Sequence, residues 1–238
     1  MTSSQSAHSP QSLPEGFVYL SDIDPTILQE VRYAGHHNFI GRPIAGYVAP
    51  VIITLDSIGV ALKTIQAEIK PFNLTLKVYD AYRPQDAVDS FVKWAEDLSD
   101  QTMKAEFYPA IDKKDVFDLG YLGRRSAHTR GSAVDLTLVP LPVPNQPTWK
   151  LGDPSVDGRL PVGKRFADNS IDMGTSFDCL DELSHPYNPT LPPEVRANRL
   201  LLSTLMTKHG FIPYSKEWWH FNIKDEPYPE TYFNFPVA

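Results

Sequence analysis

Two short segments, far apart in this chain, hold residues of the kinds that bind metal ions and move protons. One is Ser126-Ala127-His128-Thr129-Arg130-Gly131-Ser132-Ala133-Val134-Asp135, and the other is Glu217-Trp218-Trp219-His220. Together they offer two imidazoles and one carboxylate as metal ligands, with a second carboxylate to act as a base. That is the inventory of a zinc hydrolase. Three protein ligands leave one coordination position for water, and zinc lowers the pKa of that water to about 7. A nearby carboxylate can then take the proton as the water attacks a carbonyl carbon.

The spacing makes demands on the elements that carry these groups. Gly131 permits a turn between His128 and Asp135, so a loop ligand and a strand ligand can converge. Around Asp135, the residues Val134, Leu136 and Leu138 share one parity, while Ala133, Asp135 and Thr137 share the other. This predicts a strand with its apolar face on the core and Asp135 facing a cleft. In the second segment the run Trp218-Trp219-His220-Phe221 favours a strand, where an odd separation puts side chains on opposite faces. Glu217 must therefore sit just before that strand, with the chain bent so that both groups reach one site.

The remaining elements follow from periodicity. Gly16-Phe17-Val18-Tyr19-Leu20 reads as a short strand, and residues 33–47 as a long loop. Ile58, Leu62, Ile65 and Ile69 fall at helical spacing, with Asp56 or Ser57 as the expected N-cap. Leu74, Leu76 and Val78 alternate with Thr75, Lys77 and Tyr79, the pattern of a half-buried strand that leads into Asp80-Ala81-Tyr82-Arg83-Pro84. A helix is expected after Pro84 with Val88, Phe91, Val92 and Ala95 on one face. Residues 139–170 hold many of the 22 prolines and show no periodicity, which predicts a long surface loop or insertion. A last helix begins near Pro193, buries Val195, Leu202, Leu205 and Met206, and ends before Gly210. Without regular βαβ alternation, the order of elements predicts an α+β fold: one domain with a mainly antiparallel central sheet flanked by helices and the zinc site in a cleft.

Composition excludes several other classes. The 238 residues carry a net charge of −7, which argues against a sequence-independent grip on nucleic acid, and the Arg124-Arg125 doublet is too short to be a basic patch. No stretch reaches the roughly 20 apolar residues needed to cross a bilayer. Residues 1–15, rich in Ser, Gln and Pro and including His8, read as a flexible tail without the features of a secretory signal. Cys179 is the single cysteine, so disulfides and a multi-thiolate zinc site are excluded and a cytoplasmic location is expected. Its expected role is that of a small buried hydrophobe. His209 suits a helix C-terminus, His185 a structural place in a loop, and the adjacent His36 and His37 are poor joint ligands.

The pattern Ser-x-His-x-x-Gly-x-Ala-x-Asp followed by Glu-x-Trp-His resembles the M15 zinc peptidases, and within them the D-alanyl-D-alanine dipeptidases of the vancomycin-resistance type. The resemblance extends to Tyr33-Ala34, Asn38-Phe39-x-Gly41-x-Pro43, Gly46-Tyr47, Asp80-x-Tyr82-Arg83-Pro84, Met173-Gly174, Phe177-Asp178, Asp181-Glu182-x-Ser184-His185 and the stretch from Asp225 to Pro236. It covers roughly residues 17–238. It implies one zinc ion on His128, Asp135 and His220, Glu217 as general base, and Arg83 as partner of the oxyanion. Tyr33, Tyr47, Asp80, Ser126 and Asp178 match positions that hold or shape the dipeptide site. The implied function is hydrolysis of free D-Ala-D-Ala in a bacterial cytoplasm, with 16–238 as the catalytic domain. A D,D-carboxypeptidase acting on cell-wall stem peptides and a non-catalytic zinc-stabilised binding domain are the alternatives. Two departures stand out. Gly35-His36-His37 replaces a Trp-Asp pair common in the family, which predicts a changed pocket wall. The 139–170 stretch is long, which predicts either a flap over the cleft or a plain surface loop.

Overall fold

A computed structural model describes residues 12–238; most of the expected tail, including His8, lies outside the described residues. The strands are β1 (Phe17–Tyr19), β2 (Leu28–Gln29), β3 (Ile53–Leu55), β4 (Leu74–Asp80), β5 (Ala133–Pro140), β6 (Phe211–Pro213) and β7 (His220–Ile223). The helices are α1 (Leu20–Ile23), α2 (Asp56–Ile69), α3 (Gln85–Glu96), α4 (Lys104–Phe107) and α5 (Pro193–Lys208). A central sheet has the strand order β2-β4-β5-β7-β6. Its β2–β4 edge is parallel and the other pairs are antiparallel, as expected for a mainly antiparallel sheet. The expected strand at 16–20 forms β1, but it pairs with β3 in a separate two-stranded sheet.

The α2 helix buries Ile58, Leu62, Ile65 and Ile69 and packs on β4. On that face of the central sheet, Leu76 and Val78 of β4 lie beside Leu138 and Leu136 of β5, all fully buried. The N-cap expectation is corrected: Leu55 caps α2 without a side-chain bond. The Asp56 N–H is taken up by the carbonyl of Gly16, so the backbone of β1 replaces a capping side chain. Asp56 lies instead in the first turn, where its charge complements the helix dipole. The α3 stripe is shifted as well, since Trp94 is buried where Val92 is only half-buried. The last helix buries Val195, Leu202, Leu205 and Met206 as expected, and Cys179 is fully buried.

The other face of β4 departs from the half-buried expectation. Thr75, Lys77 and Tyr79 are all buried. The Lys77 ammonium donates to Glu30 Oε2 at 2.7 Å and Asp168 Oδ1 at 2.6 Å. The Tyr79 hydroxyl donates to Asp168 Oδ2, and its ring stacks on Phe177 at 4.1 Å. Arg32 completes the network with Glu30 and Asp168. Alternation in this strand thus separates polar from apolar residues, while both faces are covered.

Much of the cover comes from the proline-rich stretch. From Leu141 to Asp181 the chain runs as turns and irregular backbone, but it does not stand off as a surface loop. Trp149 stacks on His37 at 5.1 Å with the planes 3° apart, and Gly158 is buried. A Cβ on Gly158 would come within 2.5 Å of the Glu106 carbonyl, so only glycine lets the chain pass there. Among the described residues, no helix is long and apolar enough to cross a membrane.

Candidate active site

His128 lies on a one-turn 3₁₀ helix, His128–Arg130, immediately before β5. Gly131 ends that turn with φ +72°, and a Cβ there would approach Phe17 Cε1 to 2.7 Å. Both the left-handed backbone and the close packing require glycine. The turn folds His128 back beside Asp135, the third residue of β5. Asp135 is paired across β7 with His220 and across β4 with Asp80, where a register shift after Val78 lets two carboxylate-bearing residues meet. Glu217 lies in the turn that precedes β7, the position that the parity of segment 217–220 demands.

Among the described residues, His128, Asp135 and His220 form a cluster whose candidate ligand atoms all lie within 4.8 Å of one another. Each imidazole is committed to one tautomer. The Nδ1–H of His128 donates to the Ala81 carbonyl at 2.7 Å, which turns the bare Nε2 inward. The Nε2–H of His220 donates to Asn222 Oδ1 at 3.1 Å, which leaves Nδ1 facing the cluster. Asp135 Oδ1 is buried and has no hydrogen-bond partner among the described residues. Two lone pairs and an unpaired carboxylate oxygen so close together are the donor set of a cation. The residues present therefore fit zinc: nitrogen and oxygen ligands in a three-residue set.

The charges around the cluster shift one another. Burial opposes ionisation of Asp135, but His128 and then His220 outweigh it and hold its pKa well below the usual carboxylate range. Burial depresses the His128 pKa. For His220 burial works in the same sense, but Asp135 and Glu217 outweigh it and the pKa rises. Glu217 Oε2 lies 3.7 Å from His220 Nδ1. Burial, reinforced by Asp135 and Asp178 against the pull of His220, pushes the Glu217 carboxyl up to about 8. A carboxyl group with a pKa near neutrality is suited to taking and returning a proton.

Arg83 follows β4 and is buried. Its Nε donates to Asp80 Oδ2 at 2.9 Å and its Nη2 to Asp135 Oδ2 at 3.4 Å. The guanidinium lies over the rings of Tyr33 and Phe91, 5.1 and 5.2 Å from their centroids. Tyr47 donates to Asp80 Oδ1 at 2.6 Å. Tyr47 and Asp80 thus stand behind Arg83 and fix its direction rather than facing the cavity. Tyr33 donates to Asp178 Oδ2 at 2.8 Å. Asp178 has φ +61°, a left-handed backbone that is uncommon outside glycine and asparagine and is found at ligand sites. Burial first, then Asp135, pushes its carboxyl up to about 7. Ser126 Oγ accepts the backbone N–H of His128 at 3.2 Å, so its own O–H remains available.

These groups surround a cavity of about 290 Å³ lined by Tyr33, Arg83, Ser126, Asp178 and Glu217 together with His128, Asp135 and His220. That volume lies at the small end of ligand pockets, of order 300 Å³, and suits a dipeptide-sized molecule. Tyr121, Arg125, Tyr214 and Asn222 line it too, and sequence reasoning did not single them out. Asn222 had a signal, since it shares the strand parity of His220; the others sit on turns without periodicity. Among the described residues, neither departure from the family pattern contributes to the lining of this cavity. His37 is turned away into a contact between Glu106 and Arg32 beneath Trp149. Among the described residues, none from 139–170 lines the cavity. The long stretch is neither a flap over the cleft nor a plain surface loop, and it covers the sheet beside Lys77 and Tyr79.

Comparison with known proteins identifies the family. A family model described as D-Ala-D-Ala dipeptidase, of peptidase family M15, matches residues 14–142 and 164–238. The unmatched interval lies inside the proline-rich stretch. The D-alanyl-D-alanine dipeptidase of Streptomyces coelicolor is 35% identical over 222 residues, 93% of this chain and 98% of that protein. The enzyme of the same name from Enterococcus faecalis is 34% identical over 226 residues, 95% of this chain and 100% of that one. That from Escherichia coli K12 is 33% identical over 207 residues, 87% of this chain and 83% of its own. The chain belongs to the M15 family of D-Ala-D-Ala dipeptidases and is a metallopeptidase.

Proposed function

We propose that this chain hydrolyses free D-alanyl-D-alanine to two molecules of D-alanine in a bacterial cytoplasm, using one zinc ion held by His128, Asp135 and His220, with residues 16–238 as the catalytic domain. The observation that carries the reading is the convergence of those three side chains, with Asp135 Oδ1 left unpaired, on a cavity wall that also bears Glu217. When bound, zinc supplies an acidified water and polarises the scissile carbonyl.

The protein's own groups have separate tasks. Glu217 takes a proton from the attacking water and returns it to the leaving nitrogen as the C–N bond breaks. Arg83, held by Asp80 and Tyr47, directs a fixed cation at the oxyanion of the tetrahedral intermediate. Asp178, oriented by the Tyr33 hydroxyl, pairs with the substrate ammonium, whose arrival favours the ionised carboxylate. The Ser126 O–H donates to the substrate carboxylate. A buried carboxylate at the ammonium seat explains a preference for a free amino terminus, since an acylated nitrogen would leave Asp178 unpaired.

The test compares release of D-alanine from free D-Ala-D-Ala and from an N-acylated longer D-Ala-D-Ala peptide, with and without a chelator. Chelator-sensitive cleavage of the free dipeptide alone is expected. Cleavage of the acylated peptide alone would replace this reading with a D,D-carboxypeptidase. Absence of metal-dependent cleavage of either would leave a binding domain.

A further inference from the structure

The cavity holds one cation with no assigned task. Its lining includes two arginines, Arg83 and Arg125. Arg83 is buried and engaged by Asp80 and Asp135. Arg125, on the loop before Ser126, is exposed and makes no ion pair with any described residue. Its guanidinium rests over the ring of Tyr232, 5.4 Å from the centroid. Arg130 lies over the same ring at 5.5 Å, but its charge is answered by both carboxylate oxygens of Glu226. Arg130 also donates to the Tyr232 hydroxyl at 3.2 Å, which fixes the ring on which Arg125 rests. A cation stacked on an immobilised ring keeps its N–H fork available for a planar anion.

The charge of the substrate calls for such a group. A free dipeptide carries one ammonium and one carboxylate, and the cavity wall already bears Asp135, Asp178 and Glu217. The carboxylate end is best received by a cation that is not already paired, and Arg83 is already committed to Asp80 and Asp135. We infer that Arg125, together with the adjacent Ser126, binds the free α-carboxylate of the dipeptide and so restricts the enzyme to substrates ending at that residue. This inference rests on the dipeptidase reading and adds to it a determinant for the carboxyl end. The acid accepts charge-assisted bonds from Arg125 and the Ser126 O–H; a carboxamide loses the charge that makes such bonds strong.

The experiment measures kcat/KM for D-Ala-D-Ala and for D-alanyl-D-alanine amide, in the unsubstituted enzyme and in Arg125→Gln, with bound zinc quantified in both. The acid-to-amide ratio of kcat/KM is expected to fall about tenfold in Arg125→Gln, the scale of one charge-assisted bond, with the loss appearing in KM for the acid and zinc content retained. Arg125→Lys keeps a point charge without the planar fork and should restore part of the ratio. A ratio unchanged by Arg125→Gln, whatever the absolute rates, overturns the inference. Turnover of neither compound by the unsubstituted enzyme would overturn the proposed reaction, and this inference with it.

Discussion

Two clusters of buried charge share one face of the β4–β5 pair, and they differ in whether their groups satisfy one another. At one end Lys77 and Arg32 are matched by Asp168 and Glu30, with Tyr79 and Gln146 taking up further hydrogen-bonding capacity. At the other end His128, Asp135 and His220 converge with two bare ring nitrogens and a carboxylate oxygen that has no partner among the described residues. Both ends are largely buried, so both carry a desolvation cost that something must offset. In the first cluster the protein's own opposite charges do so. In the second the three candidate ligands are not answered in this way, and on the proposed reading a metal ion would supply the missing charge. A closed network ties the sheet to its cover, whereas the open one is where chemistry can occur.

This contrast can be broken from either end. The largest effect is expected at the open cluster: Asp135→Ala should abolish zinc retention and D-Ala-D-Ala hydrolysis together, measured by metal analysis and D-alanine release, while the fold survives. Lys77→Met should do the reverse. It leaves buried carboxylates short of a partner, which costs about 3–5 kcal/mol of unfolding free energy, read from denaturant curves, with zinc still bound at one equivalent per folded chain. Asn222→Ala should act more mildly, by freeing the His220 tautomer. Loss of such a supporting contact lowers metal affinity by about 10- to 100-fold, measured by competition with a chelator.

The smallest effect is a dependence on acid. Burial opposes ionisation of Asp168, but Lys77 and Arg32 outweigh it and hold its pKa at about 2, against an ordinary 3.8. A depressed carboxyl contributes stability above its unfolded pKa and loses it as pH falls through the folded one. The contribution, about 2 kcal/mol, should therefore be present above pH 4 and disappear toward pH 2. In Lys77→Met this part of the acid dependence should shrink.

How much of this was legible in the sequence differs between the two clusters. The open cluster was readable because His128, Gly131 and Asp135 are close in sequence, and because strand parity requires Glu217 to precede the strand of His220. The buried stripes of α2 and α5 were readable for the same local reason. What escaped was non-local. The burial of Lys77 and Tyr79 depends on Asp168, about ninety residues away, reaching across an irregular segment. The capping of α2 depends on the Gly16 carbonyl of a neighbouring strand. Tyr47 and Asp80 matched the family pattern, but only the fold shows that Tyr47 holds Asp80 and Asp80 holds Arg83. The turns that bring Tyr121, Arg125 and Tyr214 to the cavity carry no periodicity that would announce them.

The most direct test of the central claim is to measure zinc content and D-Ala-D-Ala turnover together in Glu217→Ala. Glu217 lies beside the ligand set but is not part of it, so the account predicts one bound zinc per chain, as in the unsubstituted enzyme. Turnover should fall by at least the ~10²-fold that removal of a general base brings. A Glu217→Ala protein that keeps full activity would contradict the assignment of Glu217 as the base that takes the proton from the attacking water.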